Sequence, residues 1–336
     1  MGPIEPGAGN AADPTLNRLI LHVPLIESLP GGAVRLPQPL YRALARARRV
    51  ACDADQALAS LFGSAPLPAP AVSSALAEPR TRRDATGGHW LRFDPIRLLP
   101  DLTAVWVDRP LPLDFASAEL QPVVAELRTM FEHDGLEWRP SGGGFGLLSL
   151  EKSPDCEFLP PDAAHGMRLD EVLPTGPDAS RWRKLINESQ MVFHQFRAMG
   201  RADQQGVGLW FWGAGGNSAP PDVSEPICVV DRADSAIVTG LAEWLGAERL
   251  DPGVRFDEAR TACAYVHWPL QGTDVQAALG QLVDAWLAPA MHALRRGRLT
   301  EIAIVGSSGC WHLRRLDALA LWRRAVDGFA SAGEAD

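Results

Sequence analysis

Short apolar runs closed by turn residues alternate with helix-period stretches along most of the chain. "LILHVPLI" (19–26) is such a run, ended by Pro-Gly signals, and predicts a buried strand. Helical stretches follow over 38–50 and 54–62. Residues 64–88 keep no sustained period and repeat proline, which predicts a linker or long surface loop. "HWLRFDP" (89–95) and "TAVWVD" (103–108) read as strands. Leu120, Val123, Val124, Leu127 and Phe131 share helical spacing within 117–135, and Gly135 stands where a C-terminal cap belongs. "LEWRP" and "FGLLSLE" form a hairpin pattern around "SGGG".

The second half repeats the alternation. Trp182, Leu185, Ile186, Phe193 and Phe196 make a broad apolar stripe on a helix over 178–199. "GVGLWFWG", "PICVVD", "ACAYVHW", "TEIAIVG" and "WHLRRL" read as strands. Helices are expected over 233–246, over 274–296 with a bend at Pro289, and over 316–328. This order predicts an α/β fold: a mostly parallel sheet with helices on both faces, and a small inserted α+β domain. The expected organisation is a disordered segment 1–17, a discontinuous core over 18–86 and 156–330, and an insert over 89–155.

Composition narrows the classes. A hydrophobic fraction of 46% with 22% charge supports a packed core over a disordered chain. The net charge of −9 disfavours a nucleic-acid surface, which needs a basic face. Arg42, Arg46, Arg48 and Arg49 form a local basic run, read as a solvated helix face. The five cysteines contain no C-x-x-C pair, so neither a disulfide framework nor a zinc ribbon is expected. With no signal-peptide pattern and no long uncharged apolar run, a cytoplasmic protein without membrane contact is expected.

Glycine-rich stretches raise nucleotide binding and then weaken it. "GVGLWFWGAGG" (206–216) alternates Val207, Leu209 and Phe211 with Gly208, Trp210 and Trp212, as a strand packed on both faces would. Its glycines run into prolines rather than into a helix that could hold a pyrophosphate. "SGGGFG" lacks the terminal Gly-Lys-Ser/Thr of a phosphate loop. What survives is position: a glycine turn, Gly213 and Gly215, beyond a strand carrying Trp210 and Trp212 is where α/β proteins open a ligand crevice.

Two further clusters carry candidate chemistry. Asn187, Gln190 and His194 fall at i, i+3 and i+7 beside the apolar stripe, with Glu188 on the other flank. Such border residues must be satisfied by neighbouring backbone or by a ligand. Arg92 and Asp94 share a strand face, an arrangement more often structural than catalytic. There is no G-x-S-x-G elbow, and Ser307, Ser308 and His312 are close only along the chain.

The ordered set "HWLRFDP", "LPTGPDASRWRKLINESQMVFH" and "LWFWGAGG" resembles the RpfE-type bacterial regulatory proteins over roughly residues 19–328. Val207 and Gly208 stand where typical members carry Asn-Ser. The layout is also similar to archaeal-type cofactor-independent phosphoglycerate mutases of the alkaline phosphatase-like superfamily. That resemblance implies an alkaline phosphatase-like core and, in the mutases, two divalent metals held by aspartates and histidines beside a serine nucleophile. The matching segments here read "LHVPLIESLPGG", "PLQGTDVQAAL" and "IVGSSGCWH", leaving His267, Asp274 and His312 as possible remnants of the metal set. The expectation is a non-catalytic regulatory or binding protein without a cofactor. It would bind a small anionic metabolite or a regulatory protein partner. The alternative is a metal-dependent phosphoglycerate mutase or phosphatase.

Overall fold

The computed structural model describes residues 16–29, 34–63, 66–197, 206–216, 219–222, 225–259, 261–270 and 274–319. The first part of the chain forms β1 (Arg18–His22), α1 (Gln38–Arg46), β2 (Arg48–Val50), α2 (Ala54–Phe62) and α3 (Pro70–Ala77). Then come β3 (His89–Pro100), β4 (Val105–Pro110), α4 (Gln121–His133), β5 (Glu137–Pro140) and β6 (Gly146–Leu150). The short helices α5 (Pro161–Ala164) and α6 (Leu169–Val172) lead to α7 (Ala179–Arg197) and β7 (Val207–Gly216). The last third carries β8 (Ile227–Asp231), α8 (Ala236–Leu245), β9 (Glu248–Leu250) and β10 (Cys263–His267). It closes with α9 (Val275–Leu282), α10 (Ala288–Arg295), β11 (Glu301–Val305), β12 (Cys310–Arg314) and α11 (Arg315–Leu319). The expected disordered start lies almost wholly outside the described residues, as does the expected closing helix beyond Leu319.

The chain divides into two compact units. One holds residues 1–65, 221–233 and 245–336, the other 66–220 and 234–244. The second is larger than the insert expected over 89–155, because α3, α7, β7 and α8 join it.

In the first unit seven strands lie in the order β2-β12-β11-β1-β10-β8-β9. The five strands from β11 to β9 are parallel, while β12 and β2 add an antiparallel edge. This is an α/β core. Leu19, Leu21, Ile302, Ile304, Trp311 and Leu313 pack on one face with Leu40 and Leu44 of α1 and Leu294 of α10. The helix expected over 274–296 does not simply kink at Pro289. A π-helical turn at Val283–Leu287 precedes it, widening the ladder where proline removes a donor.

The second unit is built on an antiparallel sheet, β4-β3-β6-β5, with β7 on β3. Here two expectations are corrected. "GVGLWFWG" is not a central strand of the parallel sheet. Its burial on both faces comes instead from two antiparallel-side cores: Val207, Leu209 and Phe211 pack with Trp182 and Phe193 of α7, while Trp210 packs with Ile96, Leu98 and Val172. Periodicity reports two covered faces and is blind to strand direction. Residues 64–88 are likewise no simple linker, since α3 occupies 70–77 with Ala71, Val72, Ser73, Ser74, Ala75 and Leu76 buried. Pro70 is tolerated in its first turn, and small residues all round leave no amphipathic stripe to read. No helix of the described residues is long and apolar enough to cross a membrane. All five cysteines are free thiols.

Candidate functional site

Three neighbouring parallel strands of the first unit end on an ionisable residue at the same register: His22 on β1, His267 on β10 and Asp231 on β8. The carboxyl ends of parallel strands are where open α/β sheets present ligand-binding groups. His267 donates from Nδ1 to Asp231 Oδ1 at 2.8 Å, and the same oxygen accepts the Ala233 N–H at 3.1 Å. His22 Nδ1 lies 2.8 Å from the Tyr265 hydroxyl, and the two imidazole rings are 5.2 Å apart. Burial first, and His267 second, pull the His22 imidazole down to about 3, so it is neutral at physiological pH. Burial, with Asp231 and Asp55 adding negative charge, pushes the Tyr265 phenol far above its ordinary value. The phenol therefore keeps its proton and is free to donate to His22 Nδ1, the arrangement that leaves the imidazole proton on Nε2.

A carboxylate-bound imidazole is the arrangement of an oriented general base or of a metal ligand. A cation pair needs more. Among the described residues no group of three or more His, Cys, Asp or Glu is placed to hold a metal ion. The other expected metal donors stand elsewhere. Asp274 caps α9, accepting the Ala277 N–H at 2.8 Å. His312 lies 3.0 Å from Glu301 Oε1 on the antiparallel edge. Ser307 and Ser308 donate their backbone N–H groups to Glu27 at 3.0 and 2.9 Å, so that loop is tied to the turn after β1. Among the described residues the donor set therefore does not fit a two-metal centre.

In the second unit the helix stripe fares differently. Ser189 on α7 accepts the Leu209 N–H of β7 at 2.9 Å while donating to Ile186 O, which fixes the helix against the strand. Gly208 leaves the room that the Gln190 side chain fills, since a Cβ there would sit 2.8 Å from Gln190 Cγ. Asn187, Gln190 and His194 then line a cavity of about 500 Å³ with Met191, Gln195, Gly206 and Val207. Among the described residues the buried Gln190 amide nitrogen has no hydrogen-bond partner. Glu188 turns away to within 3.6 Å of Lys184.

The remaining candidates form a structural clamp. Arg92 grips Asp94 with both arms at 2.9 and 2.7 Å and donates to Ser74 Oγ at 3.0 Å. Its guanidinium stacks 3.9 Å from the Phe145 ring centroid, and Trp212 donates its indole N–H to Asp94. Trp210 donates to Leu159 O at 2.8 Å. Gly213 and Gly215 do not form a turn at a crevice. They continue β7, and α3 with the residue before it covers them: Cβ atoms there would meet Pro70 at 2.9 Å and Ala69 at 2.5 Å. Gly213 also needs its φ of 69°. The structure thus brings Asn187, Gln190 and His194 together, groups Arg92 and Asp94 with Trp212, and leaves His267, Asp274 and His312 apart.

His22, Asp231 and Tyr265 escaped sequence reasoning. For His22 and Asp231 the signal was present: "LILH" and "CVVD" each close an apolar strand on a polar residue.

No known protein family and no curated protein matches this sequence. Solved structures similar to it include the PH0037 protein from Pyrococcus horikoshii. That match has 13% identity, covers 89% of this chain and 87% of that one, and has a TM-score of 0.48. Another is a cofactor-independent phosphoglycerate mutase from Thermoplasma acidophilum, with 14% identity, 95% and 91% coverage, and a TM-score of 0.37.

Proposed function

We propose that the chain is a cytoplasmic binding protein with a regulatory role, on a degenerate phosphoglycerate mutase-like scaffold. The observation that carries this reading is the Gln190 amide, buried without a partner among the described residues on a cavity also lined by Asn187 and His194. A buried donor left unpaired costs about 1–3 kcal/mol, which a ligand acceptor recovers. The carboxamides suit a small ligand with a hydrogen-bonding edge, Met191 and Val207 suit its apolar body, and the His194 ring can donate an N–H to an anionic group. A protein partner presenting such a group is another form of the same reading. Among the described residues, the shortage of converging donors around His22 and His267 supports binding over phosphoryl transfer.

The Asp231–His267 pair favours a second reading, an enzyme of the mutase or phosphatase class. Metal analysis of protein purified without chelator, with phosphatase and mutase assays in Mn2+, Mg2+ and Zn2+, separates the two. Binding predicts far less than one metal per chain and no turnover. Near-stoichiometric metal with turnover lost in His267→Ala establishes the enzyme. A thermal-shift screen with phosphorylated metabolites tests the cavity: a ligand that raises Tm for the wild type and fails with Gln190→Leu is expected.

A further inference from the structure

The basic run at 42–49 has no part in either reading, yet the fold sorts it. Arg49 pairs in register with Trp311 and lays its guanidinium over that ring, 5.4 Å from the centroid, on the aliphatic core side of the sheet. Arg46 is buried, donating to Ala318 O at 3.3 Å. Arg48 goes the other way. It pairs with His312 across β2 and β12, and alternation puts His312 and Arg314 on that same face. These three residues, with Val50 and Asp317, line a separate cavity of about 500 Å³.

The lining sets two guanidinium groups, Arg48 and Arg314, against one carboxylate, Asp317, with Glu301 beside it. Glu301 is held by His312 at 3.0 Å, and Arg314 Nε reaches the same oxygen only at 3.9 Å, with three quarters of its side chain exposed. Asp317 accepts the Arg314 backbone N–H at 3.2 Å. Among the described residues Arg48 has no carboxylate partner. Two guanidinium forks and an imidazole therefore line one concavity, beside the single carboxylate of Asp317. Planar forks match phosphate and carboxylate oxygens two at a time, and concave walls strengthen the attraction.

We propose that the cavity formed by Arg48, His312 and Arg314 is a binding site for a small molecule bearing a phosphate or carboxylate group. It lies in the first unit and does not depend on the reading of the Gln190 cavity.

The test is calorimetric titration of the full chain with inorganic phosphate and with citrate at constant ionic strength. Saturable binding of at least one anion is expected. Arg48→Gln and Arg314→Gln should each weaken it about tenfold or more, the value of one charge-assisted hydrogen bond. Arg49→Gln removes the same charge from the opposite face and should leave binding unchanged. Far-ultraviolet circular dichroism confirms that each variant is folded. Three results overturn the proposal: no saturable binding to either anion, unaltered binding in both cavity variants, or an equal loss in Arg49→Gln. The arginines would then be charges guarding an exposed edge strand.

Discussion

His267 and Asp231, 36 residues apart in sequence, meet through a 2.8 Å hydrogen bond at the ends of two paired parallel strands. The bond places an imidazole proton on Nδ1. On the neighbouring strand the partner of His22 Nδ1 is the Tyr265 hydroxyl, which can donate to it. Two imidazoles 5.2 Å apart are thus expected to differ in tautomer because their partners differ. Nitrogen-15 NMR should show His22 protonated on Nε2 and His267 on Nδ1 at neutral pH. A common tautomer for both would refute the assignment.

His22 makes stability sensitive to acid. Its folded value of about 3 lies below the ordinary 6.5 of an unfolded imidazole. Between those limits the unfolded chain binds a proton that the folded chain does not, so the contribution is full above about 6.5 and lost as pH falls towards 3. The slope from this one group is at most about 1.4 kcal/mol per pH unit. Urea unfolding at stepped pH should show it, and His22→Asn should flatten it.

Tyr265→Phe removes the donor to His22 Nδ1 while keeping the ring contact with Phe62 at 5.6 Å. The unpaired acceptor should cost about 1–3 kcal/mol, read from denaturant unfolding. A loss below a few tenths would mean that the hydroxyl does not support His22.

Asp94→Ala takes one oxygen from each arm of Arg92 and the acceptor from the Trp212 indole. Asp94 is 7% exposed, so the guanidinium is left short of a counter-charge in a poorly solvated place. A destabilisation of about 3 kcal/mol is expected, with Asp94→Asn milder, because removing one partner of a buried pair strands the other.

Gly240 on α8 lies against α3 with no space for a side chain: a Cβ there would sit 1.6 Å from the Ser73 carbonyl oxygen. Gly240→Ala should lower stability by about 1–3 kcal/mol or more, since backbone must move, despite alanine's better helix propensity. A Tm at or above that of the wild type would contradict this helix contact.

Much of the element content was legible. The parallel strands "LILH" and "CVVD", the stripe of α7 and the hairpin around "SGGG" follow from period and turn chemistry. The stripe also yielded Asn187, Gln190 and His194 as one polar group, because helix geometry is local and three residues at i, i+3 and i+7 must share a face. Helix α3 was hidden by its uniformity, since small residues packed all round give no contrast between faces. The role of Gly213 was misread for a related reason. Glycine marks close approach as readily as a turn, and only the position of Pro70 tells which.

The sequence by itself determined where most strands and helices form, which helix face is polar, and that the chain is acidic with a short basic run. Those properties depend on neighbours within a few residues. Tertiary structure alone decided that β7 pairs antiparallel with β3, that His22, His267 and Asp231 end side by side, and that Arg48 and Arg49 face opposite ways beside different partners. The reason is that strand order and direction are set by long-range burial. An apolar run shows that it will be covered on both sides but carries no mark of which segment does the covering.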